Sequence, residues 1–588
     1  MKKNNENKKF KYTNSRRNFI SNFGKFAFIS TAISSLPLLK KSFAGTSNLP
    51  QLPNFPSNIE IKALEYKNWS FEIQIPSIWT CLPKNTNELL AVINWAHQNN
   101  FKVRPKGKMH NWAPFTVPHG INPQVKVILI DMVTYFTKMS VNKNQNPCTV
   151  TAQTGILMDS LMAQLENEGL GFTATPAAGD LSLGGVLAIN GHGASLPSLG
   201  ENSSSLGQSY GSVSNLVVSL TAVVWDSNSN QYVLKTFERS NFECSAFLVH
   251  LGRVFIVEAT LQVIPNFRMR CQSIMGISVS QMFGAPHSSP YNFSNFVDKT
   301  GRVEAILFPY TEKPWLKVWT VTDDKKPDTA KLVEGSYNYP FSDSINERTY
   351  KFIDSIVAGN VSITPTFGQF EYFIASTGLQ YHNAFDLWGW SKNLLLYIKP
   401  TTLRMSENGY VIITKRENLQ RVIYEFYNKY IEIINKYKAA NKYPMNGPIE
   451  IRCTGLDNPS NMNIANAETP LLSALSTNLA NSEWDVGIWI DILTFPGTPD
   501  ALSFYKEIEE WIFQNYVGNY ATVRVEWSKG WGYLNNSAWA NAKVLQNQIP
   551  LSLNAAHNWE TWQSAKSIFH RYDPNRIFTS PLHDTLGI

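Results

Sequence analysis

The stretch Val103-Arg104-Pro105-Lys106-Gly107-Lys108-Met109-His110-Asn111-Trp112 decides the fold of the chain. Upstream of it, Asn85 precedes Glu88 by three residues and apolar residues then follow at helical spacing, which predicts a helix. Residues 101–104 predict a strand. Because the turn at Gly107 follows a helix and a strand and leads to a single histidine, we interpret the stretch as a loop that holds a phosphate-bearing cofactor.

A second glycine-rich region follows a helix predicted at about residues 157–168. It contains three motifs, Thr175-Pro176-Ala177-Ala178-Gly179-Asp180, Leu183-Gly184-Gly185 and Gly191-His192-Gly193. Glycines this dense expose backbone N–H groups to phosphate oxygens, and a helix that starts near Leu183 adds the positive end of its dipole. Neither loop has the Walker spacing, and no Gly-x-Gly-x-x-Gly opens a helix after a strand, so a nicotinamide-binding fold is disfavoured.

The two loops together resemble the FAD-binding domain of the vanillyl-alcohol oxidase superfamily. The resemblance covers residues 57–270 and returns at Tyr572-Asp573-Pro574-Asn575-Arg576-Ile577-Phe578. It implies a covalent bond between His110 and the 8α-methyl group of FAD. Because residues 171–200 contain no cysteine, a single 8α-histidyl link is expected. The cofactor-binding residues implied by the resemblance are Arg104, Pro105, Lys106, Gly107, Lys108, Met109, His110, Asn111, Thr175, Ala178, Gly179, Asp180, Leu183, Gly184, Gly185, Gly191, His192, Gly193, Gly211 and Ile256.

From Cys271 the chain changes to strand-like alternation rich in tryptophan and tyrosine, broken by one long helix predicted at residues 417–438. Several of these strands carry charged residues on faces that should be buried. An isolated carboxylate in such a place is costly, so it is usually paired or poised for proton transfer. Four such strands favour a shared acidic cavity with one arginine, and the residues concerned are Glu304, Glu450, Arg452, Asp491 and Glu526.

Three features of this region are similar to the covalent-flavin (class II) bacterial cholesterol oxidases. They are Glu450-x-Arg452, Glu304 ahead of Phe308-Pro309-Tyr310, and Glu526-Trp527-Ser528-Lys529-Gly530-Trp531. The resemblance implies that the 3β-hydroxyl group of cholesterol is oxidised with dioxygen, that hydrogen peroxide is released, and that isomerisation gives cholest-4-en-3-one.

The same resemblance implies roles for individual residues. Glu450 is the leading proton acceptor, and Arg452 is its electrostatic partner near the flavin and the substrate oxygen. Glu304, Glu526 and Asp491 are the candidates for moving the proton during isomerisation, and Lys529 is the candidate for balancing negative charge on the flavin.

Two other functions stay open at this point. An oxidase of an aldonolactone, a sugar or a polyol would use the same cofactor loops, but its pocket should be polar, whereas this cap is rich in aromatic residues. A non-catalytic sterol-binding flavoprotein would share the apolar pocket but would not accept electrons from the sterol.

We therefore expect an α+β fold. A two-subdomain FAD-binding domain of the vanillyl-alcohol oxidase type is expected at residues 57–270, and an α+β substrate-binding cap with a large antiparallel sheet at 271–525. Residues 526–588 are expected to return to the FAD domain. More than one packed unit is also the default for a chain of 588 residues.

Residues 1–44 have the three parts of a twin-arginine export signal: Arg16-Arg17, a modestly apolar stretch at residues 26–39, and Ser42-Phe43-Ala44. They hold ten basic residues and one acid, so their removal near Ala44 leaves 42 basic and 44 acidic residues and moves the net charge from +7 to −2. The exported chain, periplasmic or secreted, then has no basic surplus for nucleic acid. The expected partners are a sterol, dioxygen, the twin-arginine export machinery for the precursor, and a membrane contacted transiently to extract sterol.

Cysteine and histidine usage points away from a metal centre. The five cysteines are scattered, and neither they nor the ten histidines show metal-ligand spacing. We therefore expect neither a disulfide framework nor a bound metal.

Overall fold

The computed structural model describes residues 49–588 except residue 123 and residues 202–209, 344–346 and 555–560. The export signal expected at residues 1–44 lies outside this part of the chain. Within it, no helix has both the length and the apolar character that crossing a membrane requires.

The histidine loop, residues 104–111, starts on an edge strand of a four-stranded sheet. The strands are β1 (Glu60–Lys67), β2 (Gln74–Leu82), β3 (Lys102–Lys106) and β4 (Val127–Asp131), and they lie in the order β1-β2-β4-β3. Helix α1 (Thr86–Gln98) connects β2 to β3. Its cap is the predicted one, because the Asn85 side chain accepts a hydrogen bond from the Glu88 backbone N–H at 3.0 Å.

A second sheet has five antiparallel strands. They are β5 (Met139–Asn142), β6 (Thr149–Gln153), β8 (Val217–Asp226), β9 (Gln231–Glu238) and β10 (Phe255–Gln262), in the order β5-β6-β10-β8-β9. The short strands β7 (Leu170–Gly171) and β11 (Ile264–Pro265) pair separately. Helices α2 (Met158–Asn167) and α3 (Leu183–Ala188) lie close to their predicted positions, and the Ser182 hydroxyl caps α3 by accepting a hydrogen bond from Gly185 N–H at 3.4 Å.

The third sheet has nine strands, and every neighbouring pair is antiparallel except β15 and β16 at one edge. The strands are β12 (Arg268–Ile274), β13 (Arg302–Leu307), β14 (Trp315–Thr322), β15 (Lys331–Val333), β16 (Asp386–Trp390), β17 (Ser406–Thr414), β18 (Ile449–Thr454), β19 (Val486–Thr494) and β20 (Thr522–Val525). Their spatial order is β15-β16-β12-β14-β13-β18-β19-β17-β20. The large antiparallel sheet that the sequence predicts is therefore present.

The remaining helices are mostly short. They are α4 (Cys244–Leu248), α5 (Val279–Met282), α6 (Phe293–Thr300), α7 (Pro340–Asp343), α8 (Glu347–Val357), α9 (Thr364–Tyr381), α10 (Ser391–Leu395), α11 (Leu419–Ala439), α12 (Ala501–Asn515), α13 (Ile549–Asn554), α14 (Thr561–Tyr572) and α15 (Pro581–Leu586). The long helix predicted at residues 417–438 is α11, and it starts two residues later because Arg416–Asn418 forms a turn of 3₁₀ helix. Its apolar stripe, which includes Leu419, Val422, Ile423 and Phe426, is buried, as expected for a helix that covers a sheet.

The C-terminal segment packs against the first two sheets. Ile577 accepts a hydrogen bond from Val103 N–H at 2.8 Å, and Phe578 accepts one from the Arg104 guanidinium. Asp573 holds this segment in place, because its carboxylate accepts hydrogen bonds from Tyr232 and Arg253, both at 2.7 Å. The described residues from 49 to 588 form one compact unit, and the boundaries at 57–270, 271–525 and 526–588 stay predictions within it.

Candidate active site

A cavity of about 480 Å³ lies between the two glycine-rich loops and the nine-stranded sheet. Its walls include every residue of the histidine loop. From the second loop it is lined by Ala178, Gly184, Gly185, Gly191 and His192. From the nine-stranded sheet and the segment after it, the lining includes Glu304, Glu450, Arg452, Glu526 and Lys529. The structure thus brings most of the predicted cofactor and catalytic residues to one cavity.

Arg104 anchors the start of the histidine loop. Its guanidinium donates hydrogen bonds to the backbone oxygens of Gly252 at 2.8 Å and Phe115 at 2.7 Å. Burial lowers its pKa to about 9. These bonds connect the edge strand β3 to the segments that contain Gly252 and Phe115. The Arg104 side chain therefore has a structural role at the base of the histidine loop.

His110 is partly buried and lies between an aromatic ring and a carboxylate. Its imidazole stacks on the indole of Trp69, with ring centroids 3.7 Å apart and planes 7° from parallel. Its Nδ1 lies 3.9 Å from Asp180 Oδ1, and neither atom has a hydrogen-bond partner among the described residues. Burial, with a smaller effect from Lys529, lowers the pKa of His110 to about 3, so the ring is neutral at pH 7.

The backbone before His110 adopts an unusual conformation. Met109 has φ of 57°, in the left-handed region that residues other than glycine rarely adopt. Residues held this way cluster at functional sites, where the surrounding structure compensates for the strain. This turn directs His110 towards Trp69 and the cavity.

The walls of the cavity fit a flavin nucleotide. Gly107 in the first loop and Gly184, Gly185 and Gly191 in the second present backbone without side chains to the cavity. A Cβ atom at Gly107 would lie 2.2 Å from the Ser182 hydroxyl oxygen, so the two loops approach each other as closely as glycine allows. Buried polar atoms without partners among the described residues, including Nδ1 of both His110 and His192, are also available to a ligand. Ile256 of β10 lines the same space.

Several predicted cofactor residues lie behind the cavity lining. They are Thr175, Gly179, Asp180, Leu183, Gly193 and Gly211. The glycines among them allow close packing: a Cβ at Gly193 would lie 2.4 Å from the Thr175 carbonyl oxygen, and one at Gly211 would lie 2.4 Å from Asp457 Oδ1. Gly211 also has φ of 103°, which strongly favours glycine. These positions support the loops, whereas the lining residues face the space that a ligand would fill.

Arg452 is the centre of the charged cluster. The strand register places it opposite Glu304 on β13 and puts Glu450 opposite Asp491 on β19. Arg452 forms ion pairs with Glu450, with Glu304 at 3.0 Å and with Asp491 at 2.9 Å. Asp491 lies outside the lining and is fully buried, and burial followed by the charge of Glu526 raises its pKa well above the usual value. One guanidinium thus serves three carboxyl groups, as the predicted acidic cavity with one arginine requires.

Glu304 has a second cationic partner that sequence reasoning missed. Lys317 Nζ lies 3.1 Å from Glu304 Oε2, and the Tyr397 hydroxyl donates to the same carboxylate at 3.0 Å. Lys317 also lies 3.9 Å from the centre of the Tyr397 ring. Although burial raises the pKa of Glu304, Lys317 and Arg452 outweigh it and lower the pKa below its usual value. Glu304 is therefore held ionised.

Lys529 joins a second group of acids in the same cavity. It pairs with Glu407, which sequence reasoning also missed, and lies 4.0 Å from Glu526, whose other neighbour is His192 at 3.5 Å. Burial raises the pKa of Glu407 to about 7 against the opposing effect of Lys529. For Glu526, Lys529 and His192 outweigh burial and lower the pKa. The two carboxyl groups therefore differ in protonation although they share one lysine.

A glycine provides the room for this arrangement. Gly409 on β17 lies opposite Asp491 in the register, and a Cβ there would lie 2.8 Å from Asp491 Oδ1 and 2.9 Å from Glu526 Oε2. The absence of a side chain at Gly409 thus lets the carboxyl groups of Asp491 on β19 and Glu526, just after β20, approach each other.

The rest of the cavity wall is largely apolar. Its aromatic and aliphatic members include Ile306, Phe308, Trp315, Phe341, Phe367, Phe370, Ile374 and Leu403. The cavity therefore combines an apolar wall with a compact set of proton-transfer groups near the cofactor loops.

Comparison with known proteins shows which class of protein the chain belongs to. A family model described as a FAD binding domain matches residues 79–228, which contain the histidine loop and the second glycine-rich region. The chain is thus a flavoprotein with the α+β fold expected from its sequence. A second family model, described as cholesterol oxidase, substrate-binding, matches residues 268–587, more than half of the chain. The chain belongs to this cholesterol oxidase family.

Solved structures of cholesterol oxidases have the same fold over nearly the whole described chain. A solvent-stable cholesterol oxidase is 48% identical, with a TM-score of 0.90 over 92% of this chain and 100% of that one. A cholesterol oxidase from B. sterolicum is 41% identical, with a TM-score of 0.89 over 92% of this chain and 99% of that one.

A more distant similarity covers only part of the chain. L-gulonolactone oxidase from Mus musculus is 28% identical over 210 residues, which are 35% of this chain and 42% of that protein. The protein from Bos taurus is 26% identical over 211 residues, also 42% of its length. The match spans less than half of these relatives.

Proposed function

We propose that this chain is an exported, FAD-dependent oxidase of the 3β-hydroxyl group of sterols such as cholesterol, and that isomerisation of the product gives cholest-4-en-3-one. The observation that carries the proposal is the position of the Glu450–Arg452 pair, which lines the same cavity as His110 under an apolar wall. A rigid, apolar alcohol would bury its rings against that wall and place its only polar group at the acid cluster.

The residues that would hold FAD are those of the two loops, with His110 as the single covalent attachment to the 8α position. A neutral imidazole is the form that can act as a nucleophile, and the lowered pKa of His110 keeps it in that form. Bound FAD supplies the hydride acceptor, and dioxygen restores it with release of hydrogen peroxide.

Oxidation of the alcohol requires a group that takes the hydroxyl proton. Glu450 is partly accessible to the cavity and lies beside Arg452, so it can accept that proton while the guanidinium stabilises developing negative charge on the substrate oxygen. Glu304, fixed by Lys317 and Arg452, keeps Arg452 in position. Lys529, on the other side of the cavity, would balance negative charge near the flavin.

Isomerisation requires a proton to move from one carbon to another within an apolar pocket. Glu407 suits this step, because its pKa of about 7 allows it to hold or release a proton near neutral pH. Glu526, Asp491 and Glu304 are the other candidates. Glu304 and Glu526 are held ionised and therefore suit proton acceptance rather than donation.

An anaerobic titration tests the proposal. Cholesterol added to the purified yellow protein without oxygen should bleach the flavin absorbance stoichiometrically, and air should restore it with release of peroxide. Bleaching by an aldonolactone but not by cholesterol would replace the proposal with a polyol oxidase. Sterol binding without bleaching would favour a non-catalytic sterol-binding flavoprotein.

Export is proposed from the sequence of residues 1–44. Replacing Arg16-Arg17 by two lysines should keep the full-length chain inside the cell, because the twin arginine is the feature that the export machinery recognises. Cell fractionation with and without the substitution measures this, and an unchanged exported fraction would contradict it.

A further inference from the structure

Glu371 is an acid in the cavity wall that the proposed mechanism does not use. It lies on α9 among apolar residues that line the same cavity, namely Phe367, Phe370, Ile374 and Ala375. Its Oε2 is buried and has no hydrogen-bond partner among the described residues. A buried carboxyl oxygen without a partner is costly, so its position calls for a ligand or a function.

Strand β13 and the residue after it define one wall of the cavity, against which the position of Glu371 can be described. Glu304, Ile306 and Phe308 alternate along the chain and all line the cavity, so this segment runs along its wall. At about 3.3 Å per residue, Phe308 lies roughly 13 Å beyond Glu304. The wall thus changes from charged to apolar over a distance comparable with the length of a steroid ring system.

Helix α9 is docked at the far end of that segment. A Cβ at Gly368 would lie 1.9 Å from the Pro309 carbonyl oxygen, so the helix backbone rests directly on Pro309. Gln369 donates a hydrogen bond to the Tyr310 carbonyl oxygen at 2.7 Å. Glu371 follows Gly368 by three residues, about one helical turn. It therefore lies near the Phe308 end of the cavity, away from the Arg452 cluster.

The electrostatic surroundings agree with this separation. Burial alone raises the pKa of Glu371 well above its usual value, and no charged neighbour contributes. The carboxyl group accordingly favours its protonated form, which has an O–H to donate as well as an oxygen to accept. Such a group can bind a hydroxyl or a carbonyl oxygen.

We propose that Glu371 is a specificity-determining residue that hydrogen-bonds an oxygen atom on the D-ring end of a steroid whose 3β-hydroxyl lies at the Arg452 cluster. This inference rests on the proposed sterol oxidation and names the substrates that the site prefers. A steroid with an oxygen at that end satisfies Glu371, whereas a purely hydrocarbon end leaves it without a partner.

Two steroids that differ by one oxygen test the inference. Dehydroepiandrosterone carries a D-ring carbonyl, and androst-5-en-3β-ol lacks only that group. Wild-type protein should oxidise the first with a kcat/KM about tenfold higher, the factor that one net hydrogen bond of about 1.4 kcal/mol provides, and the difference should appear in KM rather than kcat.

Variants of Glu371 then test whether this side chain causes the difference in kcat/KM between the two steroids. Glu371→Met should reduce the ratio of the two kcat/KM values to about one, whereas Glu371→Gln, which retains a donor and an acceptor, should preserve most of it. Glu432→Met makes the same change at an exposed helical position outside the cavity and should leave the ratio unchanged. Anaerobic Kd values from flavin spectral shifts provide the same ratio if turnover in a variant is too slow.

The outcomes separate this inference from the function on which it rests. If wild-type protein oxidises neither steroid nor cholesterol, both the proposed function and the role of Glu371 fail. If it oxidises both steroids with a ratio near one, or with a ratio that Glu371→Met leaves unchanged, sterol oxidation stands and the role of Glu371 is overturned.

Discussion

Lys317 Nζ lies 3.1 Å from Glu304 Oε2, and both side chains are almost completely buried. The pair joins neighbouring strands of the nine-stranded sheet, where the register places the two residues directly opposite each other. Because Glu304 also holds Arg452, the orientation of the guanidinium depends on an ion pair with β14, which lies on the opposite side of β13 from the strand that carries Glu450.

Loss of the lysine should therefore cost stability. In Lys317→Met, the effect of burial on Glu304 is opposed only by Arg452 and by the hydrogen bond from Tyr397, so the pKa of Glu304 should rise. The free energy of unfolding should fall by about 3 kcal/mol, as for a buried pair that loses one partner. Urea unfolding measures this. The double variant Lys317→Met/Glu304→Gln should recover part of the loss. A change below about 0.5 kcal/mol in the single variant would show that the pair is not important for stability.

Removal of the proposed proton acceptor should slow chemistry more than binding. Glu450→Gln retains the size of the side chain but cannot take the hydroxyl proton, so the rate of anaerobic flavin reduction by sterol should fall by about 10²- to 10⁴-fold. Stopped-flow absorbance measures that rate, and Glu510→Gln, at an exposed position of α12, provides the control. A reduction rate within threefold of wild type would assign the proton to another group.

The stability of the protein should reflect the titration of Glu407. Its pKa is raised to about 7 in the folded protein, so the folded state holds a proton that the unfolded state loses near pH 4.5. The contribution is fully present below about pH 4.5 and is lost as the pH rises to about 7. Relative to Glu407→Gln, wild type should thus lose up to about 3 kcal/mol of unfolding free energy across this range.

Denaturant unfolding of both proteins between pH 4 and pH 8 measures that difference. Because Glu509, whose pKa burial also raises to about 7, is present in both proteins, its effect cancels in the comparison. A difference that does not change with pH would contradict the assignment to Glu407.

The covalent link should depend on His110. Protein with His110→Ala should lose its yellow colour on acid precipitation, because the neutral imidazole is the only proposed attachment. His119→Ala, at an exposed position further along the same segment, should keep it. The visible spectrum of the precipitate measures both, and acid-stable colour in the His110 variant would refute a single histidyl link.

Period-two alternation in the strands explains why much of the site could be predicted. It indicates Glu304, Glu450, Arg452, Asp491 and Glu526 as charges on buried faces. The structure brings the first four together around Arg452 and places Glu526 beside Lys529 in the wall of the same cavity. The same rule applies to Lys317, because its alternation with Trp315 and Trp319 puts a charge on an apolar face of that strand.

Other site residues depend on information that no local pattern contains. Glu407 reaches Lys529 only because β17 lies between β19 and β20, and the register of those pairings is a property of the folded sheet. Glu371 lies on a helix whose cavity-facing side is set by the packing of Gly368 on Pro309. Gly211 shows that a sequence pattern can also include too many residues. A glycine that permits tight packing cannot be distinguished in the sequence from one that faces a ligand.

The bond between Arg104 and Phe578 has a consequence for how the protein is made. The two residues are 474 positions apart, so the strand that leads into the histidine loop lacks this contact until the ribosome has synthesised Phe578. A nascent chain shorter than this has no completed cradle for the nucleotide. We therefore expect capture of the vitamin-derived cofactor to follow the synthesis and folding of the segment that contains Phe578.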